Sequence, residues 1–301
     1  MESKKIKISI LECDSGHTEA YSMLTNFEDS PFFEEAIVNC IYSSDLELAK
    51  KKAQKLNIPK VTDNIKDALQ NIDCAMVIGR YADSHYFLAK TALLEGVPVF
   101  VDKPFVENSI QAEELVSISK IKDVPLMACS PFRFDEGLIN FKKDIKKLVA
   151  IKSVLVTGPF ECNDLGDDPR LKDVFFYGSH ATEIINEIFG NGAQSVISKE
   201  TPLSVHGIIS YESGLNISLN LIKGSPFELY RIYAINETEI NNFSIKNVRA
   251  EGLYYRNTLS KFLNYVKTGC TAVTLKSSLE SIKVLEAFRS SFQKNKTIFI
   301  K

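Results

Sequence analysis

The stretch Gly96-Val97-Pro98-Val99-Phe100-Val101-Asp102-Lys103-Pro104 is the most informative part of this chain. A short apolar strand here ends in an acid, a lysine and a proline. Ligands of open α/β sheets bind just beyond the carboxyl ends of the strands, so we expect Lys103 at the rim of a binding crevice. Proline disfavours the α region for the residue before it, which keeps Lys103 extended. A lysine there can hydrogen-bond a sugar hydroxyl or take part in proton transfer, whereas an isolated Lys-Pro is usually a solvated surface feature.

Strand and helix signals alternate along residues 1–128. Apolar β-rich runs are separated by helical segments, one of which closes at Gly96, a residue type favoured just after a helix. This alternation predicts a Rossmann-like, doubly wound parallel sheet. In residues 129–301, a helix expected at 179–189 and two closing helices accompany a series of β-type runs. They predict a C-terminal α+β domain with an open antiparallel sheet, so we divide the chain into domains 1–128 and 129–301.

Composition argues against several classes of protein. The 301 residues are 45% hydrophobic and 25% charged, with a formal net charge of −2. These values are typical of globular chains and offer no basic surface for nucleic acid. No apolar stretch is long enough to span a membrane, and the N-terminus lacks the apolar core of a signal peptide. Six scattered cysteines without CxxC spacing predict reduced thiols in a cytoplasmic protein and no zinc site.

The turn after the first predicted strand departs from the dinucleotide-binding pattern. A Rossmann fold has Gly-x-Gly-x-x-Gly there, because glycines let the backbone approach the pyrophosphate. This chain reads Glu12-Cys13-Asp14-Ser15-Gly16-His17, with Glu12, Asp14 and His17 at the glycine positions. Two acids beside a pyrophosphate would repel it by about 1 kcal/mol per close pair in water. By itself, the turn argues against conventional cofactor binding.

The end of the second predicted strand also differs from that pattern. An acid that binds the adenosine ribose is expected there, but the chain has Tyr42-Ser43-Ser44 followed by Asp45. Serine hydroxyls can bind a 2′-phosphate or a ribose hydroxyl, so the choice between NAD and NADP stays open. We expect Asp45 to cap the helix that follows.

Several spaced motifs together resemble the Gfo/Idh/MocA oxidoreductase family across nearly the whole chain. Asp102-Lys103-Pro104 resembles the family's Glu-Lys-Pro motif, and Phe132-Arg133-Phe134 its Tyr-Arg-Phe segment. Residues 176–183 resemble the family's Asp-x-Gly-x-His-x-x-Asp segment, with Phe176 in place of the first aspartate. The resemblance implies a dinucleotide-binding domain followed by a substrate-binding and oligomerisation domain.

The resemblance also implies roles for individual residues. Lys103 would orient a substrate hydroxyl and the nicotinamide ribose, while His180 would exchange a proton as the hydride moves. A helix start near Ser179 would favour the neutral imidazole of His180, because the helix dipole disfavours a cation there. The residues expected at the cofactor are Asp14, Ser15, Gly16, His17, Ser43, Ser44, Gly79, Arg80, Asp102, Lys103 and Pro104. Those expected at the substrate are Arg133, Tyr177, His180 and Glu183.

Some of these residues have purely structural alternatives. His17 fits a contact with the pyrophosphate or a substrate anion, but equally a local bond at the helix start. Arg133 fits a substrate clamp or a salt bridge at the domain interface. The acidic loop of Asp164, Asp167 and Asp168 has no accompanying ligand motif, so a solvated loop is expected and no metal site.

The leading hypothesis is a cytoplasmic NAD(P)-dependent oxidoreductase that acts as a homodimer or homotetramer. It would pass a hydride between the nicotinamide and a sugar-like or polyhydroxylated small molecule. The lost glycines and Phe176 leave an alternative, a cofactor-poor pseudo-enzyme that binds a ligand or a protein. A third reading is a lyase or hydrolase cycle on a sugar derivative in which NAD acts transiently.

Overall fold

The chain folds into two compact units. The computed structural model describes residues 4–148, 150–161, 168–226, 229–245 and 253–300. The first unit comprises residues 1–131 and 255–275, and the second comprises residues 132–254 and 276–301. This partition differs from the predicted division at residue 128, because residues 255–275 return to the first unit. Aromatic contacts attach residues 255–275 to the first unit. The ring centroids of Phe262 and Phe100 are 5.8 Å apart, and those of Tyr255 and Tyr21 are 5.4 Å apart.

The first unit contains a parallel sheet in the order β3-β2-β1-β4-β5-β6. The strands are β1 Ile6–Leu11, β2 Ala36–Tyr42, β3 Lys60–Thr62, β4 Cys74–Val77, β5 Val99–Val101 and β6 Leu126–Ala128. The helices are α1 His17–Ser22, α2 Leu46–Lys55, α3 Ile65–Ala68, α4 Ala82–Leu94 and α5 Ser109–Lys122, with most of a later helix, Leu253–Thr268. The predicted doubly wound sheet is therefore confirmed. Its strand order reverses between β1 and β4, the switch point at which such sheets bind ligands.

Local sequence signals explain the elements of this unit. Every residue of β4 and β5 is buried, as expected for a parallel sheet covered on both faces. Helix α2 is capped by Asp45, whose carboxylate accepts a hydrogen bond from the Leu48 backbone N–H at 2.9 Å, so the predicted cap is confirmed. Helix α4 ends just before Gly96, which has a φ of +76°, the left-handed conformation that glycine adopts without steric cost.

The second unit contains a sheet in the order β12-β11-β7-β10-β9-β8-β13. The strands are β7 Ser153–Pro159, β8 Ala193–Glu200, β9 Ser204–Tyr211, β10 Asn216–Ile222, β11 Arg231–Ile235, β12 Ile240–Ser244 and β13 Ile298–Phe299. The helices are α6 Glu136–Ile145, α7 Val174–Phe189 and α9 Leu275–Lys294, the helix Leu253–Thr268 being α8. Neighbouring strands run antiparallel except β7 and β10, which are parallel. The predicted open sheet is confirmed, with this one parallel pair added.

Helix α7 begins at Val174 and not at the predicted Ser179. The Asp173 carboxylate caps it by accepting a hydrogen bond from the Phe175 backbone N–H at 2.8 Å. Nearly every residue of α7 is buried, and its first turn, residues 174–177, consists of β-branched and aromatic residues that are typical of strands. His180 therefore lies in the second turn. The prediction that the helix dipole favours the neutral imidazole of His180 is therefore wrong, because the dipole acts mainly on groups in the first turn.

Three cysteines of the first unit, Cys13, Cys40 and Cys74, are buried thiols. Burial raises the pKa of each thiol above its ordinary value, which makes them unreactive packing residues, as expected. Cys162 lies outside the described residues. Among the helices that the structure describes, none combines the length and apolar character needed to cross a membrane.

Candidate active-site residues

The Asp102-Lys103-Pro104 corner follows β5 directly, and its Lys103–Pro104 peptide bond is cis. The Asp102 side chain is completely buried. One carboxylate oxygen accepts a hydrogen bond from the Lys103 backbone N–H at 2.7 Å, and the other bonds with Nδ1 of His17. The corner is thereby fixed to the first residue of α1.

The His17–Asp102 pair determines the charge at this corner. Burial by itself raises the pKa of Asp102, but the His17 charge and hydrogen bond, together with Lys103, hold the pKa below its ordinary value. The carboxylate is therefore ionised, and Nδ1 of His17 is the donor. The edge of the His17 ring meets Tyr255, with 4.9 Å between ring centroids. Of the alternatives for His17, the local helix-start bond is made by its backbone N–H, which donates to the Ser15 hydroxyl at 3.3 Å, while its ring bonds with Asp102. A contact with a pyrophosphate or a substrate anion stays a prediction.

A second tether runs from the end of β4. The buried ring of His85 has Nδ1 2.7 Å from the Pro104 carbonyl oxygen and Nε2 2.9 Å from the Gly79 carbonyl oxygen. A Cβ atom at Gly79 would lie 3.0 Å from the Glu12 side chain, so only glycine fits there without displacement. The ends of β1, β4 and β5 are thus packed against one another.

Hydrogen bonds made by the side chains of Ser15, Asp14 and Lys52 stabilise the turn between β1 and α1. The Ser15 hydroxyl donates to the Ile78 carbonyl oxygen at 2.6 Å, and Lys52 Nζ donates to the Ser15 carbonyl oxygen at 2.7 Å. The Asp14 carboxylate accepts from the Arg80 backbone N–H at 2.7 Å. A Cβ atom at Gly16 would have no neighbour within 4 Å. The turn therefore borders open space at Gly16.

The end of β2 is joined to the end of β1 by Glu12. The Glu12 carboxylate accepts hydrogen bonds from Ser44, at 2.7 Å from the backbone N–H and 3.3 Å from the hydroxyl. Ser43 is buried, and its hydroxyl accepts from the Asp45 backbone N–H at 3.1 Å. Ser43 thus stabilises the start of α2. Ser44 bonds with Glu12, at the end of β1, where other residues expected at the cofactor begin.

In the second unit, Arg133 is the centre of a buried polar network. Its guanidinium bonds with Glu183 and donates to Ser277 at 2.8 Å and Ser281 at 3.1 Å. Weaker bonds reach Glu187 at 3.3 Å and Asn186 at 3.4 Å. These bonds engage the whole guanidinium within its own unit. The geometry favours a structural ion pair for Arg133 and Glu183 over a substrate clamp.

His180 and Tyr177 lie on α7 and are both buried. The His180 ring stacks on Phe132 with 4.3 Å between centroids and meets the edge of Tyr230 at 5.6 Å. The Tyr230 hydroxyl donates to the Tyr177 carbonyl oxygen at 3.2 Å. The imidazole is therefore held in a fixed orientation by aromatic rings.

Two side-chain hydrogen-bond pairs at the candidate site were not predicted from the sequence. His17 and Asp102 stand 85 positions apart, and Glu12 and Ser44 stand 32 apart, so neither pair is visible locally. A signal for the first existed, because the histidine in the turn and the aspartate before Lys103 both depart from the family's pattern. Their bond gives these two departures a common physical reason.

No group of three His, Cys, Asp or Glu side chains suited to a metal occurs among the described residues. Asp164 and Asp167 of the acidic loop lie outside those residues. The Asp168 carboxylate forms an ion pair with Arg170 at 2.7 Å and accepts from the backbone N–H of the same residue. Asp168 thus serves the short 3-10 helix Pro169–Lys172.

Comparison with known proteins shows what parts of the sequence and the fold resemble. The sequence profile of an oxidoreductase family with an NAD-binding Rossmann fold, GFO_IDH_MocA, matches residues 15–129. The uncharacterized oxidoreductase YhhX of Escherichia coli K12 is 35% identical over 86 residues, which are 28% of this chain and 25% of that protein. The match thus spans about a quarter of the curated relative.

Solved structures extend the likeness to the whole chain. A putative myo-inositol dehydrogenase from Sinorhizobium meliloti superposes with a TM-score of 0.83 at 15% identity, covering 99% of this chain and 100% of that one. Scyllo-inositol dehydrogenase from Lactobacillus casei, solved with NAD(H) and scyllo-inositol, gives a TM-score of 0.81 at 16% identity and covers 99% of both chains. Residues 15–129 therefore match the profile of the Gfo/Idh/MocA oxidoreductase family, and the chain shares its fold with these dehydrogenases over nearly its full length.

Proposed function

We propose that the protein is an NAD(P)-dependent oxidoreductase that acts on a polyhydroxylated or sugar-like small molecule. The observation that carries the proposal is the lysine corner: Lys103 follows β5 at the ligand-binding edge of a Rossmann sheet and is fixed there by the buried Asp102–His17 pair. The family match supports the cofactor, and the inositol dehydrogenases with the same fold support the substrate class.

The residues of the first unit fit a dinucleotide. Open space at Gly16 leaves room beside the turn that precedes α1. The Asp14 carboxylate, expected to repel a pyrophosphate, is bonded to the Arg80 backbone and lies next to a cationic side chain. Ser15, Gly16, Arg80 and Lys103 would hold the cofactor. When bound, its nicotinamide ring accepts or donates the hydride.

In this proposal Lys103 positions the substrate hydroxyl and His180 transfers its proton. The Lys103 ammonium group donates a hydrogen bond to the substrate hydroxyl and so fixes the carbon that is oxidised. His180 takes the hydroxyl proton as that carbon becomes a carbonyl, and returns it in the reverse direction. The stacked ring of Phe132 keeps the imidazole in one orientation. Tyr177 is proposed as a further substrate contact.

The proposal includes assembly of the chain with a second copy of itself. One face of the second unit's sheet carries exposed apolar side chains in register across neighbouring strands. Ile197 on β8 lies opposite Ile208 on β9, and Leu155 on β7 lies opposite Tyr233 on β11. Ser218 of β10 lies between the two pairs. Exposed apolar side chains that gather on one face are typical of an interface, and symmetric pairing of identical faces is the commonest assembly. A cytoplasmic location is proposed with it, supported by the buried thiols.

The alternative, a cofactor-poor binding protein, is favoured by one observation. Side chains of Glu12 and Asp14 occupy the backbone N–H groups of Ser44 and Arg80, which a phosphate could otherwise use. Titrating the purified protein with NAD(H) and NADP(H) by calorimetry separates the two functions. The oxidoreductase requires saturable binding of at least one cofactor. Absence of binding up to millimolar concentrations would leave the alternative.

The roles of Lys103 and His180 are tested in the active protein. Lys103→Ala and His180→Ala should each abolish turnover at saturating cofactor while the circular dichroism spectrum persists, and His180→Ala should also keep the cofactor affinity of the wild type. Lys90→Ala, on the exposed face of α4, is a matched control that should turn over normally. Turnover retained by either site variant would remove that residue from the mechanism.

A further inference from the structure

Glu12 places a carboxylate at the end of β2 although it belongs to the end of β1. Its φ of +65° is left-handed, and its backbone N–H donates to the Tyr42 carbonyl oxygen at 2.9 Å. This backbone turn aims the side chain across to Ser44, where both carboxylate oxygens accept hydrogen bonds. The chain thus has an acid at the end of β2 that the sequence of β2 does not supply.

That position has a defined chemistry in a Rossmann sheet. An acid there accepts the adenosine ribose 2′-hydroxyl of NAD, and donors or cations there accommodate the 2′-phosphate of NADP. The donors that could bind a phosphate, the N–H and hydroxyl of Ser44, are engaged by Glu12. The nearest acid in the sequence, Asp45, accepts from Leu48 as the cap of α2. Glu12 is therefore the carboxylate placed for the ribose.

The charges around the Glu12 carboxylate are also negative. The pKa of the Tyr42 hydroxyl is raised by burial and also by the negative charges of Glu12 and Asp63. The nearby cation Lys52 is committed to the Ser15 carbonyl oxygen and to Glu19, at 2.7 and 2.9 Å. A dianionic 2′-phosphate would meet carboxylates here, whereas a neutral hydroxyl would meet a strong acceptor.

We propose that Glu12 is the residue by which this chain selects NAD over NADP. It accepts the ribose 2′-hydroxyl from its place beside Ser44 and excludes the 2′-phosphate by charge and by occupying the Ser44 donors. This inference rests on the proposed function, since it concerns the same cofactor.

Calorimetric titration of four proteins with NAD and with NADP tests the inference without requiring a substrate. The proteins are the wild type, Glu12→Gln, Glu12→Gly and the control Glu47→Gln. Glutamine keeps the size of the side chain and removes its charge, while glycine removes the side chain at a φ that glycine adopts readily. Glu47 is an exposed acid of α2 that pairs only with neighbouring Lys50 in the described contacts, so its variant makes the same charge change away from Ser44.

The wild type should bind NAD more tightly than NADP by at least about tenfold at low salt. Both Glu12 variants should lower this ratio at least about tenfold, while Glu47→Gln leaves it unchanged. A wild type that binds both cofactors equally, or a ratio that survives in both Glu12 variants, overturns the inference but leaves the oxidoreductase standing. Failure of the wild type to bind either cofactor overturns the proposed function and the inference together. Circular dichroism identifies a variant that does not fold, and the other variant then decides.

Discussion

Replacing Glu183 by leucine should destabilise the second unit, because it leaves the Arg133 charge buried with too few partners. The Arg133 residue is 3% exposed and Glu183 is 4% exposed. Removal of one partner from a buried ion pair costs about 3–5 kcal/mol. Glu187 compensates only in part, because it lies nearer the surface and 3.3 Å from the guanidinium. We therefore expect Glu183→Leu to lower the free energy of unfolding by about 3 kcal/mol.

The double variant Arg133→Met/Glu183→Leu should be more stable than Glu183→Leu alone. Apolar side chains of similar volume replace buried ion pairs with little loss, or with a gain. The two substitutions should therefore be coupled by at least about 2 kcal/mol, where independent sites would add within about 0.5 kcal/mol.

Urea unfolding followed by circular dichroism measures these free energies, since the chain contains no tryptophan. Glu237→Leu is the matched control, because it removes an exposed carboxylate paired with Lys152 and should cost less than about 1 kcal/mol. The reasoning is refuted if Glu183→Leu costs no more than Glu237→Leu, or if the two substitutions of the pair are additive. A substrate clamp would instead give Arg133→Met a raised KM and unchanged stability.

Three further outcomes are expected. Burial raises the pKa of Glu12, and the Asp14 charge adds to the rise, so ionisation of Glu12 lowers the stability of the folded protein. Glu12→Gln should therefore become more stable relative to the wild type as pH rises from about 4 to 7, measured by thermal unfolding. A stability difference that does not depend on pH would contradict this. Ile208→Lys should lower the assembly state in light scattering by charging the apolar sheet face, while Ile121→Lys on α5 should not; equal behaviour would count against that interface. Gly16→Ala should leave the melting temperature within about 2 °C, since the added methyl group enters open space, but should weaken cofactor affinity at least about tenfold; unchanged affinity would move the cofactor away from the turn.

Signals that act over a few residues were readable in the sequence. Asp45 was recognised as a cap because its helix follows at once, and Gly96 as a helix end because a left-handed residue is needed there. The alternation of buried strands and helices was sufficient for the parallel sheet. The motifs around Lys103, Arg133 and His180 were together sufficient for the family resemblance.

Signals that depend on distant partners were not readable. The start of α7 was missed because its cap Asp173 precedes a run of β-favouring residues, 174–177. The return of residues 255–275 to the first unit depends on contacts such as Phe262 with Phe100, which no local pattern specifies. The His17–Asp102 bond likewise forms only when the sheet brings β1 and β5 to one edge.

The central claim, hydride transfer by the lysine corner and His180, is tested most directly with isotopically labelled substrate. The protein and NAD are mixed with inositols and other polyols that carry deuterium on the carbinol carbons, and the nicotinamide is analysed by mass spectrometry. The account predicts that at least one polyol transfers a single deuteride to the nicotinamide ring, and that Lys103→Ala and His180→Ala prevent the transfer at NAD concentrations that saturate each variant. Bound cofactor that stays unlabelled with every polyol tested, or labelling that persists in both variants, would contradict it.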